Sequence, residues 1–361
     1  MLFYINFNIS KVYQNEIAAI MNLKQLAKEL NLSISTISKA LRDSHEISIA
    51  TKQIVLAKAK ELNYQANPFA SSLRKQRSKT IAVLIPEIAN NFFALAINGV
   101  EAIAQEKGYH VLIYLTHEDM QKEIGITKLL QNGRVDGILL SISSQTTDTE
   151  HLEELRKNDI PLVFFDRVAE HLDCPKVTTD DYNSSLRATE HLIENGCNRI
   201  AFLSISSTLS ITNKRMNGYQ DALKKNGLKP DESLLITCNT DEENNRAIIK
   251  KLLKRKNRPD CIFASVEKLA ISTYVVCNEL SLQIPEDVKV ISYSNLRTAA
   301  LLHPSLTTIT QPAYEIGHEA ASILFKLIEK KGFNFILEKT VLKSTLIERD
   351  STKGNKQAFL V

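Results

Sequence analysis

No stretch of the 361-residue chain approaches eighteen consecutive apolar side chains, so no membrane-spanning helix is supported. The first twenty residues lack a basic leader and a small-residue cleavage site, which argues against a secretion signal. Met21 stands directly before the first recognisable motif, so residues 1–20 are expected to be a disordered arm or an over-extended start. The five cysteines (Cys174, Cys197, Cys238, Cys261, Cys277) are scattered, odd in number and form no CxxC pair. Reduced thiols in a cytoplasm fit that pattern. Signals of catalysis are also missing. There is no Gly-rich phosphate loop, no GxSxG and no HExxH, and the eight histidines show no metal-ligand spacing. The chain is therefore not expected to be an enzyme or to carry a metal or cofactor. Asp180-Asp181 reads as a solvated loop, and His191 as a satisfied structural histidine.

What is present begins at Asn22. Leu23, Leu26, Ala27 and Leu30 place an apolar stripe on a first short helix. Asn31 follows, a residue type that tolerates a left-handed turn. Ser33 stands where a second helix needs an N-cap, with Thr36 three residues on. Ile37, Ala40 and Leu41 would face the core, which leaves Ile34, Ser35, Ser38 and Lys39 exposed. A hydroxyl-rich, lysine-bearing second helix is what a helix-turn-helix presents to a DNA major groove; the same pattern also fits a helical hairpin with a solvated face. Ser48 should cap a third helix through about Leu62, with Ile54, Val55, Ala59 and Leu62 on one buried side. Asn67-Pro68 then starts a helix of about two turns, marginal without a partner. Charge is divided to match: residues 21–79 hold 11 Lys+Arg and 4 Asp+Glu, a net of +7, while residues 80–361 sum to −3. A basic module on a mildly acidic body is a nucleic-acid footprint.

The segments Leu23–Ala27, Leu32–Leu41 and Leu62–Pro68 resemble the opening signature of the lactose-repressor (LacI/GalR) family of transcription factors. The resemblance extends to about Asp350. It implies a helix-turn-helix headpiece over 21–66, a hinge helix and linker over 67–79, an effector-binding and dimerisation domain over 80–350, and a tail over 351–361. It implies that Ile34, Ser35 and Lys39 read base edges. It also implies that Leu23, Ser33, Thr36, Ser38, Arg42, Ser48, Tyr64 and Asn67 contact phosphates, which fix register without carrying sequence information. Leu73 matches a leucine wedged between base steps in the minor groove, and Ala70 lets two hinge helices approach. A core contact is the alternative for Leu73, although four basic residues follow it within six positions.

From Thr80 short apolar runs alternate with amphipathic helices. Strands are predicted at Ile81–Ile85, Val111–Leu115, Gly137–Ser141, Leu162–Phe165, Ile200–Ile205, Leu234–Thr237, Cys261–Ser265 and Val288–Ser292. Repeated βα units imply parallel sheets covered on both faces. Two such halves resemble the type I periplasmic-binding-protein fold, the family's regulatory core of two doubly wound subdomains. The resemblance places one lobe at about 80–178 and 313–337 and the other at 179–312 and 338–350. Three crossings are expected, near Thr178–Tyr182, Thr310–Ala313 and Phe335–Lys339, with the helix Tyr314–Lys331 returning to the first lobe.

Ligands of open α/β sheets collect at strand C-termini. Candidate cleft residues are Asn90-Asn91-Phe92-Phe93 after the first strand and Asp166-Arg167 after the fourth. Arg215, in Lys214-Arg215-Met216-Asn217-Gly218-Tyr219, matches the family's effector-holding arginine. Each has a plainer reading: helix-start packing for Phe92, a loop hydrogen bond for Asp166, a surface salt bridge for Arg215. The chain departs from the family in two places, since Val266-Glu267 replaces Asn-Asp and Ser294 replaces an aspartate. The expectation is a homodimeric DNA-binding regulator of a pseudo-palindromic operator, tuned by a small molecule of the sugar class. The departures keep open a non-sugar effector or a protein partner.

Overall fold

The computed structural model describes residues 22–62, 64, 78–329 and 339–353. Asn67, Ala70, Leu73 and the rest of the expected hinge helix, the N-terminal extension and residues 330–338 lie outside these. The chain divides into two units, the first ending at residue 76, and each is described by itself.

The first unit is a three-helix headpiece. α1 (Leu23–Glu29) starts in a reciprocal cap: Asn22 Oδ1 accepts from Gln25 N at 3.0 Å, and Gln25 Oε1 accepts from Asn22 N at 2.8 Å. Asn31 turns the chain at φ 52°. Ser33 caps α2 (Ile34–Leu41) by accepting from Thr36 N at 3.0 Å, and Ser48 caps α3 (Ile49–Glu61) through Thr51 N at 3.2 Å. Leu26, Ile37 and Val55 are fully buried at the centre, with Ala27, Ala40 and Ala59 around them. One core assignment is corrected: Ile54 is 57% exposed. Val55, Ala59 and Leu62 follow i, i+4, i+7 spacing, and Ile54 lies one residue, about 100° of helix, off that stripe.

The second unit begins with β1 (Thr80–Ile85), α4 (Asn91–Glu106), β2 (His110–Leu115), α5 (Met120–Leu130), β3 (Gly137–Leu140), α6 (Glu150–Lys157), β4 (Leu162–Phe165) and β5 (Lys176–Thr179). It continues through α7 (Asp181–Glu194), β6 (Ile200–Ser204), α8 (Ser210–Lys225), β7 (Leu235–Thr237), α9 (Glu242–Leu253), β8 (Cys261–Ala264), α10 (Glu267–Glu279), β9 (Lys289–Tyr293) and β10 (Thr307–Thr310). It ends with α11 (Ala313–Glu329), β11 (Lys339–Leu342) and β12 (Thr345–Ile347). Two six-stranded sheets result, in the orders β11-β5-β4-β3-β1-β2 and β12-β10-β9-β8-β6-β7. Among the described residues every pairing is parallel except β10 with β12. The strands buried on both faces are continuous apolar runs, as parallel sheets require: all six residues of β1 and all four of β3 are buried.

The first two crossings fall where expected, between β5 and α7 and between β10 and α11. The third does not. β11 pairs in parallel with β5 in the first sheet, with Lys339 opposite Lys176. The chain therefore changes lobes at Lys343–Ser344, not at Phe335–Lys339, and the lobe boundary drawn at 338 moves with it. The tail drawn from 351 also starts too early. Ser351 and Thr352 are fully buried, and Ser351 Oγ accepts from Thr307 N at 2.8 Å.

Two close helix pairs hold the lobes in shape. A Cβ at Gly99 of α4 would overlap the carbonyl of Tyr314, and one at Gly317 of α11 would overlap that of Ala96. In the second lobe a Cβ at Gly218 of α8 would overlap the carbonyl of Tyr182. That approach brings Arg215, one turn earlier, over the start of α7. At the entrance to the first lobe, Asp136 accepts from Ser78 N at 2.6 Å, Ser78 Oγ at 2.9 Å and Lys79 N at 3.1 Å. Among the described residues no helix is long and apolar enough to cross a membrane, and no acidic, histidine or cysteine cluster could hold a metal.

Candidate functional site

The C-terminal ends of β1, β4, β6, β8 and β9 converge on one cleft, together with the N-termini of α4, α8 and α10. Its lining includes Asn90, Phe92, Phe93, Asp166, Arg167, Thr212, Arg215, Glu267, Ser294 and the hinge residue Gln311, around a cavity of about 50 Å³. Asn90, Phe92, Phe93, Asp166, Arg167, Arg215, Glu267 and Ser294 line it as expected. Asn91 does not: Asn90 faces the cavity and caps α4 through Phe92 N at 2.9 Å.

Arg215 is only 5% exposed. Its Nε donates to Asp181 Oδ1 at 2.8 Å, its Nη1 donates to the Ser265 carbonyl at 2.7 Å, and its guanidinium lies 3.6 Å from the Tyr293 ring centre. Nη2 has no hydrogen-bond partner among the described residues. The surface salt-bridge reading is thereby overturned. So is the solvated-loop reading of Asp180-Asp181. Asp181 is 2% exposed, with burial pushing its carboxyl up against the pull of Arg215. Asp180 accepts from Ser344 N at 2.7 Å and from Arg187 at 2.9 Å. Both aspartates sit at a lobe crossing and are tied into it by hydrogen bonds to residues of α8 and of the last crossing. His191 is buried and meets Thr352 Oγ1 at 2.9 Å, as its structural reading requires.

Asp166 follows β4 at φ 60°. Burial raises its carboxyl from 3.8 to about 6, offset only in part by Arg167, Arg215 and Gln311. Arg167 is committed elsewhere, donating through Nη1 to both oxygens of Glu118 at 2.8 and 2.9 Å. Burial opposes ionisation of Glu118, but Arg167 and the Ser144 amide together hold its carboxyl below the ordinary range. Phe92 and Phe93 both line the cavity and pack edge to face at 5.3 Å, so the lining and packing readings hold together.

The two departures from the family meet each other. Ser294 Oγ donates to Glu267 Oε2 at 2.6 Å, and Asn91 Nδ2 donates to Glu267 Oε1 at 3.0 Å from the opposite lobe. Asp181, Thr212, Tyr293, Asn295 and Gln311 were not anticipated. Asp181, two residues past a strand end, carried a signal that its neighbour Asp180 obscured.

On the headpiece, Ser35 is exposed and Ile34 is 39% exposed. Thr36, Ser38 and Lys39 are half-buried, and Lys39 is paired with Glu46. Arg42 turns back onto Ser38. The hydroxyls of Ser33 and Ser48 are engaged as caps, while Leu23 and Tyr64 pack against the small core.

A helix-turn-helix unit and a two-lobed body with a polar cleft at its strand ends define a class of regulators that join a DNA reader to a ligand sensor. A sequence profile described as "Periplasmic binding proteins and sugar binding domain of LacI family" matches residues 78–353, and one described as "Bacterial regulatory proteins, lacI family" matches residues 22–67. The chain belongs to the LacI family and is a DNA-binding transcriptional regulator, not an enzyme. The HTH-type transcriptional repressor CytR of Escherichia coli (strain K12) is 30% identical over 95% of this chain and 99% of its own. A transcriptional regulator CelR–cellobiose complex aligns with a TM-score of 0.69 at 26% identity, covering 92% of this chain and 99% of that one. The lac repressor dimer bound to operator and the anti-inducer ONPF shares the fold, with a TM-score of 0.79 at 19% identity over 92% and 99% of the two chains.

Proposed function

We propose that the protein is a repressor that binds a pseudo-palindromic operator as a homodimer, with α2 in the major groove of each half-site. The observation that carries this is α2 itself, a capped helix locked to a buried core by Ile37 and Ala40 that turns Ile34 and Ser35 outward. Lys39, once released from Glu46, donates to guanine; Ser35 donates or accepts; Ile34 meets a thymine methyl. Leu23, Ser33, Thr36, Ser38, Arg42, Ser48, Tyr64 and Asn67 are assigned to phosphates, and Ala70 and Leu73 to the hinge and its minor-groove wedge. Footprinting of the purified chain on genomic fragments tests this. Protection of an inverted repeat is expected; its absence overturns the reading.

In the cleft, Arg215 Nη2 lacks an acceptor and Asn295 Oδ1 lacks a donor. A hydroxyl supplies either need, so an uncharged polyhydroxylated effector fits, and a relative of the same fold is described with cellobiose. The second reading, a non-sugar effector or a protein partner, is favoured by Glu267 and Ser294, which hydrogen-bond to each other where the family places ligand-holding side chains. A thermal-shift screen of sugars, nucleosides and phosphometabolites separates them. A ligand at one hundred times its Kd stabilises by about 2.7 kcal/mol, and Arg215→Ala should abolish the shift.

A further inference from the structure

The cleft is bridged from wall to wall by the protein's own side chains. Glu267 is the first residue of α10, whose N-cap Val266 offers no side-chain hydrogen bond. The free amides of that helix end favour a carboxylate there. One of its oxygens accepts from Asn91 of the first lobe at 3.0 Å, the other from Ser294 of the second at 2.6 Å. Other links run beside it. Thr208 Oγ1 donates to the Ser144 carbonyl at 3.0 Å, and Lys214 pairs with Glu170 at 2.6 Å. Leu209 and Ile211, from the start of α8, are buried in the first lobe's apolar cluster with Val168, Ala169 and Leu172. The receiving loop is itself braced, because Glu123 accepts from Ser143 N at 2.8 Å, Thr146 Oγ1 at 3.0 Å and His151 Nε2 at 2.9 Å. The space left between the lobes, about 50 Å³, is well below the roughly 150 Å³ of a cavity that holds benzene. It takes a few waters and excludes a sugar ring.

We propose that Glu267 is a built-in effector surrogate: its carboxylate joins Asn91 to Ser294 and holds the two lobes closed with no small molecule bound. The inference rests on the effector-cleft reading above and gives it a direction. A ligand shifts a two-state equilibrium only by its differential affinity for the two states. Here the closed state is made by the chain itself and is too small for a sugar. A ligand of that size must displace Glu267 and favour the open state. Its chemistry is constrained too. Both cleft arginines already have carboxylate partners, Asp181 and Glu118, and Asp166 and Glu267 add two more carboxylates to the lining, so a neutral or cationic hydrogen-bond donor suits the cleft and an anionic phosphate does not.

Hydrogen–deuterium exchange of the full chain without added ligand tests this in wild type, Glu267→Ala and Glu267→Gln. In wild type, residues 142–146 and 205–212 should exchange slowly. Glu267→Ala should speed both segments at least tenfold while β3 and β8 stay protected. Glu267→Gln should resemble wild type, since its amide oxygen still accepts from Asn91. Asn91→Ala removes the same bond from the other wall and should reproduce Glu267→Ala, which guards against a folding defect in one variant. Unchanged exchange in both alanine variants overturns the proposal. Footprinting the same preparations keeps the two readings apart. Loss of closure with no operator protection in any sample supports the latch and refutes the operator reading. Operator protection with unchanged exchange refutes the latch alone.

Discussion

The guanidinium of Arg215 lies 3.6 Å from the centre of the Tyr293 ring, and the Tyr293 hydroxyl in turn reaches the Asp181 carbonyl at 3.1 Å. The arginine is thus clamped between an aromatic face and a carboxylate that share one anchor. Its remaining N–H is aimed by parts that cannot move independently.

Arg215→Ala should therefore be costly before any ligand is considered. It leaves Asp181 buried without its counter-charge, and breaking a buried pair from one side costs about 3–5 kcal/mol. Urea denaturation at neutral pH reads this loss. The double replacement Arg215→Met with Asp181→Asn removes both charges and should cost less than Arg215→Ala alone. A larger loss in the double variant contradicts the pairing.

Asp166 makes stability depend on pH in an unusual direction. Its carboxyl is raised by burial from 3.8 to about 6, so the folded state holds a proton that the unfolded chain releases. That contribution is fully present below about 4 and is lost as pH rises through about 6. The shift of about two pH units corresponds to roughly 3 kcal/mol at most. Asp166→Asn should raise Tm at pH 7.5 and give little gain at pH 4. An equal gain at both values would show that ionisation is not the cause.

Gly317→Ala should destabilise the first lobe. The added methyl overlaps the Ala96 carbonyl, which is backbone and cannot rotate away. Overpacking of this kind typically costs about 1–3 kcal/mol, measurable as a lower urea midpoint. Gly125→Ala is the control, because a Cβ there meets nothing within 4 Å and alanine is the better helix former.

Lys39→Ala tests base reading by α2. Loss of a good lysine contact costs about 1–3 kcal/mol at one base pair in each half-site. Binding to random DNA should change little, so the ratio of specific to random affinity falls. Equal losses on both would assign Lys39 to the phosphates.

The headpiece was legible because its signals are local. Ser33 and Ser48 each cap an amide three residues on, Asn31 turns the backbone at its own φ, and the structure has all three in their expected roles. The capping box at Asn22 was equally local but uses Gln25, a weaker signal than glutamate. In the body, apolar runs marked the buried strands, while β5 (Lys-Val-Thr-Thr) and β11 (Lys-Thr-Val-Leu) were too short and polar to stand out. Missing β11 misplaced the third crossing. Helix α8 starts at Ser210 without a side-chain cap, because Leu209 and Ile211 anchor it by packing against the other lobe. The cleft was half legible. Strand ends pointed to Phe92 and Asp166, but the Glu267–Asn91 bond spans 176 positions in sequence, and nothing local announces it.

The three hydrogen bonds that Asp136 accepts from Ser78 and Lys79 have a mechanical meaning. Asp136 immediately precedes β3, a central strand of the first sheet. The point where the chain enters the body is therefore tied to the middle of that sheet. Any turn of the first sheet is passed to residue 78 through these three bonds, as a crank passes on the rotation of its shaft.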